Sequence, residues 1–286
     1  MSGTSWEQLE LPRFCRGQLL FTLSGGGPIL HSRNVVTIHD AAVVASPAGY
    51  SWAYRSWHAN LCRRMAHTAE HIFTVSNFSK SEIMKCYGAP AEKISVTYLG
   101  GDHLCGFAAD PAALERFRIC GKYILAASVQ NPNKNLERLV QAVSHHNESS
   151  IPLLIAGGSD SKVYRRMQLP EGVRSLGYVT DMELKALYEN AACFVFPSLY
   201  EGFGLPPLEA LSLGCPVVTS RAGSLPEIFT GAAFFCNPYD PDDIAMAIDR
   251  AVKSRDSTGD ELKLFARKFS WAKCARQTLE VIEAIA

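Results

Sequence analysis

The sequence lacks an excess of either charge. Its 28 Lys plus Arg match 28 Asp plus Glu, so no whole-chain attraction to nucleic acid is encoded and no nucleic-acid partner is expected. It lacks a C-x-x-C pair: nine cysteines, an odd number, stand at irregular spacings, which excludes a zinc ribbon and a thioredoxin-type motif. Its eight histidines form no H-E-x-x-H, so no metal site is expected. Neither G-x-G-x-x-G nor G-x-x-x-x-G-K-[ST] occurs, which argues against a dinucleotide-dependent oxidoreductase and a P-loop enzyme. No apolar run reaches the roughly 18 residues of a membrane span. The opening MSGTSWEQLELPRF has acidic residues and no apolar stretch of a secretory signal. These absences predict a cytoplasmic protein whose cysteines are reduced and mostly buried, like Cys193 in AACFVF.

What is present suits two domains. The chain has 286 residues, 47% of them apolar, enough for proper cores. Short β-rich apolar runs alternate with stretches of helical period, the pattern of parallel sheets with crossover helices. Strands are predicted at 19–23, 35–38, 72–75 and 94–97, with a long helix at 52–69 and a helix from SNFSKSEI capped by Ser79 and Glu82. LGGDHLCGFAADP then reads as a linker, at about 100–110. Six further strands follow, at 123–127, 152–156, 173–176, 193–196, 217–220 and 233–235. Thr180 and Glu183 form a second capping box, and Asp240-Pro241 reads as the start of a helix. Helices at 261–269 and 270–286 close the chain. Two doubly wound sheets, one of four strands and one of six, are the expected architecture, with ligands at the carboxyl ends of the strands.

The segment most suggestive of chemistry is FVFPSLYEGFGLPPLE, residues 194–209. An apolar strand enters a loop, and the loop enters a helix opened by Pro206-Pro207. Gly202 and Gly204 let the backbone approach a ligand, and a helix N-terminus offers N–H groups to an anion. Glu201 lies on the loop and Glu209 about one turn into the helix, where they would serve a sugar and the hydroxyls of a ribose. On spacing alone, Glu209 as a partner of the helix dipole and Glu201 as a solvated loop acid fit equally well.

The E-G-F-G-L-P-P-L-E segment resembles the donor motif of retaining GT-B glycosyltransferases, family 4 in particular. SVQNPNKNLERL, LLIAGG, GYVTDMELKALYENA, GCPVVTSRAGSLPEI and NPYDPDDIAMAI resemble successive units of that family's donor domain. VVTIHDAA and HIFTVSNFSKSEI resemble its N-terminal domain. The resemblance implies a GT-B α/β fold, two Rossmann-like sheets facing across a cleft. It implies an acceptor-side domain at 1–105, a nucleotide-sugar domain at 106–269, and a last helix at 270–286 crossing back to the first.

The resemblance also implies site roles. Glu209 binds the ribose. Glu201 meets the transferred sugar, with backbone N–H groups of Phe203, Gly204 and Leu205. Lys134 pairs with the diphosphate, where a compact cation neutralises the leaving group. Tyr178 and Val179 flank the base. His39, with Asp40 beside it, lies next to the sugar from the acceptor side; Ser24, Gly25, Gly26 and Ser76 line that side. His39, Glu201 and Lys134 are the expected catalytic set. The implied reaction moves a hexose, with mannose from GDP-mannose the expected donor, to a glycan or lipid-linked acceptor with retention. The leaving diphosphate helps deprotonate the acceptor, and no metal is required.

Two departures from the family stand out. Ser128 and Asn133 occupy positions where many relatives carry arginine, so the phosphate clamp is expected to rest on Lys134 and neutral donors. Full-length relatives have further βα units ahead of Leu19, including an acceptor loop, so the N-terminal sheet is expected to be incomplete. An apolar patch is then expected near 19–23 and 35–38 unless an oligomer, a partner chain or a membrane covers it. Nucleotide binding with weak or no transfer is expected of the isolated chain, and a nucleotide-sugar-binding protein without transferase activity is the alternative reading. Asp240-Pro241-Asp242 matches D-x-D, but its place at a helix start favours capping. WAYRSWHANLCRRM mixes tryptophan and arginine as a helix on an anionic membrane does, and as an ordinary amphipathic helix also does.

Overall fold

The computed structural model describes residues 3–23, 25, 27–127, 131–145, 151–157 and 169–286. The chain forms two compact units. One comprises the chain up to Leu99 with Glu201–Phe203 and Ala272–Ala286; the other comprises Gly100–Tyr200 and Gly204–Trp271. The units divide at Leu99/Gly100, where the sequence reading divides the chain at 105/106.

The first unit holds a four-stranded sheet in which β1 (Leu20–Thr22), β2 (Asn34–Thr37), β3 (His71–Thr74) and β4 (Ile94–Val96) lie side by side in chain order, all parallel. All four residues of β2 are buried, as a parallel strand covered on both faces requires. The helix Trp52–Thr68 is capped by Ser51 and buries the stripe Ala59, Leu61, Cys62, Met65 and Ala66 against Val36 and Ile72 of the sheet and Ile83 of the next helix. That next helix, Asn77–Tyr87, begins one turn earlier than its capping signal suggests. Ser76 is the cap, accepting the Ser79 N–H at 2.9 Å, and Gly88 ends the helix in the left-handed region at φ 73°. Ser79 is therefore a first-turn donor, and Glu82 pairs with Lys85 at 3.6 Å.

The N-terminal segment departs from expectation. Two short helices, Thr4–Leu9 and Leu11–Phe14, precede β1. Gln8 donates to Gly27 O at 3.1 Å and accepts the Ile29 N–H at 2.9 Å. The apolar patch expected at 35–38 is absent, because Val35, Val36 and Ile38 are buried. Near β1 the expectation holds in part: the strand is half-buried, and Leu23 and Leu30 are 70% and 79% exposed.

The second unit holds six parallel strands: β5 (Ile124–Ala127), β6 (Leu153–Ala156), β7 (Val173–Gly177), β8 (Cys193–Phe196), β9 (Val217–Ser220) and β10 (Ala233–Cys236). Their order is β10-β9-β8-β5-β6-β7. The chain runs outward from β5 through β6 to β7, then restarts at β8 on the other side of β5, so the order reverses between β5 and β8. The core fills from β5, β6 and β8 together with Leu139, Val143, Ile244, Ile248 and Ala251 of two flanking helices. Thr180 and Glu183 form the expected capping box of helix Asp181–Asn190. Asp240 caps helix Pro241–Ala266, accepting the N–H groups of Asp242 and Asp243, so its carboxylate serves the helix.

Helix Pro241–Ala266 runs unbroken through SRDSTGDE, where the sequence reading has two separate helices, the second at 261–269. Arg255 donates to Gly214 O at 2.6 Å and also to Glu189 O. A Cβ on Gly214 would lie 3.1 Å from Gly259 O, so the helix packs closely there, and tertiary contacts hold the polar stretch against its propensity. All nine cysteines are free, and burial pushes the Cys215 and Cys236 thiols up to about 12. Among the described residues no helix is long and apolar enough to cross a membrane.

Candidate active site

In an open parallel sheet, ligands bind where the strand order reverses, because the loops leaving the two central strands part there and open a crevice. In the six-stranded unit those are the loops after β5 and β8. The first turns tightly: Asn131 accepts the Asn133 N–H with its side chain at 2.9 Å, and its carbonyl accepts the Lys134 N–H at 2.9 Å. Asn135 follows in the left-handed region at φ 58°, a conformation asparagine tolerates better than most residues. Its buried amide donates to Pro197 O at 3.1 Å and Pro238 O at 2.6 Å, tying the loops after β5, β8 and β10 together. Leu199 N donates to Asn133 O at 2.7 Å. On this frame the Lys134 ammonium lies 4.7 Å from the Phe196 ring centroid, a cation–π contact that fixes the side chain. Asn133 is buried. Ser128 lies outside the described residues.

The loop after β8 leads into helix Leu205–Ser212 through Gly204, whose φ is 92°. A Cβ there would lie 2.7 Å from Leu225 and 2.9 Å from Phe229, so glycine is required both for backbone conformation and for space. Pro206 and Pro207 carry no N–H. Of the donors a helix start usually offers, Leu205 keeps its own, next to that of Gly204. Among the described residues neither of these two N–H groups meets an acceptor.

Glu209, further along this helix, is buried. Its Oε1 lies 3.3 Å from His103 Nε2, and its Oε2 accepts from the Tyr188 hydroxyl at 3.2 Å. Burial raises the Glu209 carboxyl above its ordinary range, against the pull of His103 and the Tyr188 hydrogen bond, and raises the Tyr188 hydroxyl further. Each carboxylate oxygen can still accept another hydrogen bond. Tyr178, in the turn after β7, is 78% exposed and Val179 is half-buried.

The remaining site candidates belong to the four-stranded unit, and so does part of the motif. Glu201, Gly202 and Phe203 cluster there, apart from Gly204 and the helix it opens. Gly202 is the focus. Its carbonyl accepts from Ser76 Oγ at 2.6 Å and Ser79 Oγ at 3.1 Å. A Cβ would fall 2.8 Å from Asp40 Cβ and 3.2 Å from His39 O. The structure thus brings His39, Asp40, Ser76 and the Glu201–Phe203 segment together. Ser76 differs from expectation: it is fully buried and its hydroxyl serves the helix cap and Gly202, so it positions the loop and does not line an open face. His39 is exposed, with its ring Nε2 3.2 Å from Leu23 O. Asp40 accepts the Ala42 N–H at 2.8 Å. Gly25 donates its N–H to Thr37 O at 2.9 Å; Ser24 and Gly26 lie outside the described residues. Phe203 is buried with its ring 6.4 Å from that of Tyr98, and Glu201 is half-buried.

Sequence reasoning missed Asn135, His103 and Tyr188. For Asn135 a signal existed, in the polar N-P-N-K-N turn directly after an apolar strand. His103 and Tyr188 are brought to Glu209 only by tertiary structure.

The model of the glycosyl transferases group 1 family matches residues 120–269, more than half of the chain, and that of Glycosyltransferase Family 4 matches residues 20–103. The O-antigen chain mannosyltransferase B of Escherichia coli is 33% identical over 276 residues, which cover 88% of this chain and 71% of that one. The O-antigen chain mannosyltransferase RfbU of Salmonella typhimurium is 28% identical over 235 residues, covering 80% of this chain and 64% of its own length. The solved structure of sucrose-phosphate synthase from Thermosynechococcus elongatus superposes with a TM-score of 0.72 at 22% identity, over 88% of this chain and 67% of that one. With two α/β units, each built on a sheet of parallel strands, and its matched family models, the chain belongs to the group 1 glycosyltransferases and has the GT-B fold.

Proposed function

We propose that the chain is a retaining, metal-independent mannosyltransferase that takes mannose from GDP-mannose and builds a glycan on a saccharide or lipid-linked acceptor. The observation that carries this reading is the donor set of the six-stranded unit. The Lys134 ammonium after β5 and the Gly204 and Leu205 N–H groups after β8 belong to the two loops at the reversal of strand order. A compact cation and backbone donors suit a diphosphate whose negative charge grows as it leaves. The mannosyltransferase names of the relatives support the sugar. In the reaction, the bond from mannose C1 to the β-phosphate oxygen breaks, and a bond from C1 to the acceptor oxygen forms on the same face. The acceptor proton passes to the leaving diphosphate, and GDP departs. Glu201 and His39 hold the sugar hydroxyls, Glu209 the ribose, and Tyr178 the base.

The same reading places the work on the cytoplasmic face of a membrane, touched peripherally. The helix Trp52–Thr68 has no acidic residue; Trp52 and Trp57 are 80% and 47% exposed, and Arg63 and Arg64 further along it are exposed as well. Sedimentation with phosphatidylglycerol vesicles checks this contact.

A thermal-shift screen of GDP, UDP, dTDP, ADP and NAD tests the donor. GDP is expected to give the largest shift, with and without EDTA. Lys134→Ala loses a charge-assisted contact of about 1.5–3 kcal/mol, a fall in nucleotide affinity of roughly 10- to 150-fold. Glu209→Ala weakens the nucleotide, whereas Glu201→Ala weakens discrimination of the sugar and spares bare GDP. Equal nucleotide losses at both glutamates, or rescue by manganese after chelation, contradict the assignment.

A further inference from the structure

The glycines at 100 and 101 read in sequence as part of a linker. Within the six-stranded unit they are wedged between other elements: a Cβ on Gly100 would lie 2.1 Å from Trp271 N, and one on Gly101 2.6 Å from Leu208 Cγ. Asp102 then accepts the Trp271 backbone N–H at 2.9 Å. The next residue, His103, reaches in two directions. Its Nδ1 accepts from Trp271 Nε1 at 3.3 Å, and its Nε2 lies 3.3 Å from Glu209 Oε1.

The indole N–H can only donate. Nδ1 must therefore be the acceptor, which leaves the ring proton of the neutral imidazole on Nε2, facing Glu209. The two rings meet edge to face with centroids 6.3 Å apart, which fixes the imidazole plane. On the other carboxylate oxygen, Oε2, the buried Tyr188 hydroxyl donates at 3.2 Å. Each oxygen of Glu209 thus faces one protein donor and keeps acceptor capacity for one more. Two acceptor sites on one planar group match two vicinal hydroxyls.

We propose that His103, oriented by Trp271, is a positioning residue that turns the Glu209 carboxylate to accept from the vicinal hydroxyls of the donor's ribose. This rests on the nucleotide role proposed above for Glu209. It assigns a function to the last residue of the Glycosyltransferase Family 4 match and to the residue that opens the last helix, Trp271–Ile285.

The test is calorimetric titration of the full chain with GDP and with 2′-deoxy-GDP, because a misaimed carboxylate loses discrimination at the ribose in particular. The unsubstituted protein is expected to prefer GDP by about tenfold or more, the worth of one hydrogen bond to a charged group. His103→Ala narrows the preference to within about threefold. His103→Gln, which restores an N–H donor, recovers most of it. Trp271→Phe, which keeps a ring but not its N–H, gives an intermediate ratio. The proposal is overturned if His103→Ala, with native circular dichroism, weakens both ligands equally or leaves both unchanged. Equal binding of the two ligands by the unsubstituted protein, with Glu209→Gln equally indifferent, overturns the nucleotide assignment of Glu209 itself and the proposal with it.

Discussion

The two sheets are built from the same kind of strand but covered differently. In the six-stranded unit the strands β6, β8 and β9 are buried along their whole length, and the strand order reverses between β5 and β8. In the four-stranded unit the strands lie in chain order without a reversal, and the edge strand β1 is half-buried throughout. The six-stranded unit thus holds the groups proposed to bind the donor on well-buried strands and cross-linked loops. The four-stranded unit holds its own, around Gly202, by a few specific contacts on thinner cover.

The largest expected effect lies in the covered sheet. Phe194 is fully buried, with Tyr188 at 5.2 Å and Phe196 at 6.0 Å. Phe194→Ala should cost about 3–5 kcal/mol, read as a shift of the denaturation midpoint. Leu20→Ala in half-buried β1 should cost no more than about half as much. A comparable loss at the two sites would break the comparison.

The two glycines of the motif sharpen it. Gly204→Ala forces a side chain into a left-handed residue and onto Leu225, and Gly202→Ala drives one into Asp40. Each should cost about 1–3 kcal/mol. Hydrogen exchange should report the first loss in β8 and β9 and the second in β2 and β3; the opposite pattern would mean that the motif is assigned to the wrong units. Thr180→Ala removes one half of a capping box and should cost about 1 kcal/mol, all of it in the six-stranded unit by the same readout.

The smallest expected change has the opposite sign. Burial raises the Glu209 carboxyl above its ordinary value of 4.5, so the folded state binds its proton more tightly than the unfolded chain does. The favourable contribution is present below pH 4.5 and lost as pH rises through the raised value. Glu209→Gln should therefore stabilise the ligand-free protein slightly at pH 7 while impairing nucleotide binding, and the gain should vanish towards pH 4.5. Destabilisation at pH 7 would mean that His103 and Tyr188 more than offset the burial cost.

The ten strands of the described residues were legible in the sequence, most of them because a parallel strand covered on both faces appears as a continuous apolar run between glycine, proline and polar turns. The Thr180 and Asp240 caps were legible because capping is local. Ser79 misled, because S-K-S-E and S-N-F-S offer two overlapping starts and only the fold chooses Ser76, whose hydroxyl also finds Gly202 O. The N-terminal helices were hidden by their shortness; a few residues nucleate poorly without tertiary partners such as the Gln8 contacts. At the site, Lys134, Glu201 and Glu209 stand out by motif. Asn135 lay within a polar N-P-N-K-N turn that marked a loop but not its long-range bonds to Pro197 O and Pro238 O, and His103 and Tyr188 act across long sequence separations that no local pattern encodes.

The most direct test of the central claim is transfer itself. The protein is held with saturating GDP-mannose and offered a panel of lipid-linked and free glycans in the presence of EDTA, and the product is read by nuclear magnetic resonance at the new anomeric carbon. The account predicts tight binding of the donor and, at the slow turnover expected of the isolated chain, release of GDP in step with an α-mannoside that retains the donor's configuration, with donor binding and turnover both lost in Lys134→Ala. An inverted product, or no binding of GDP-mannose, would contradict it.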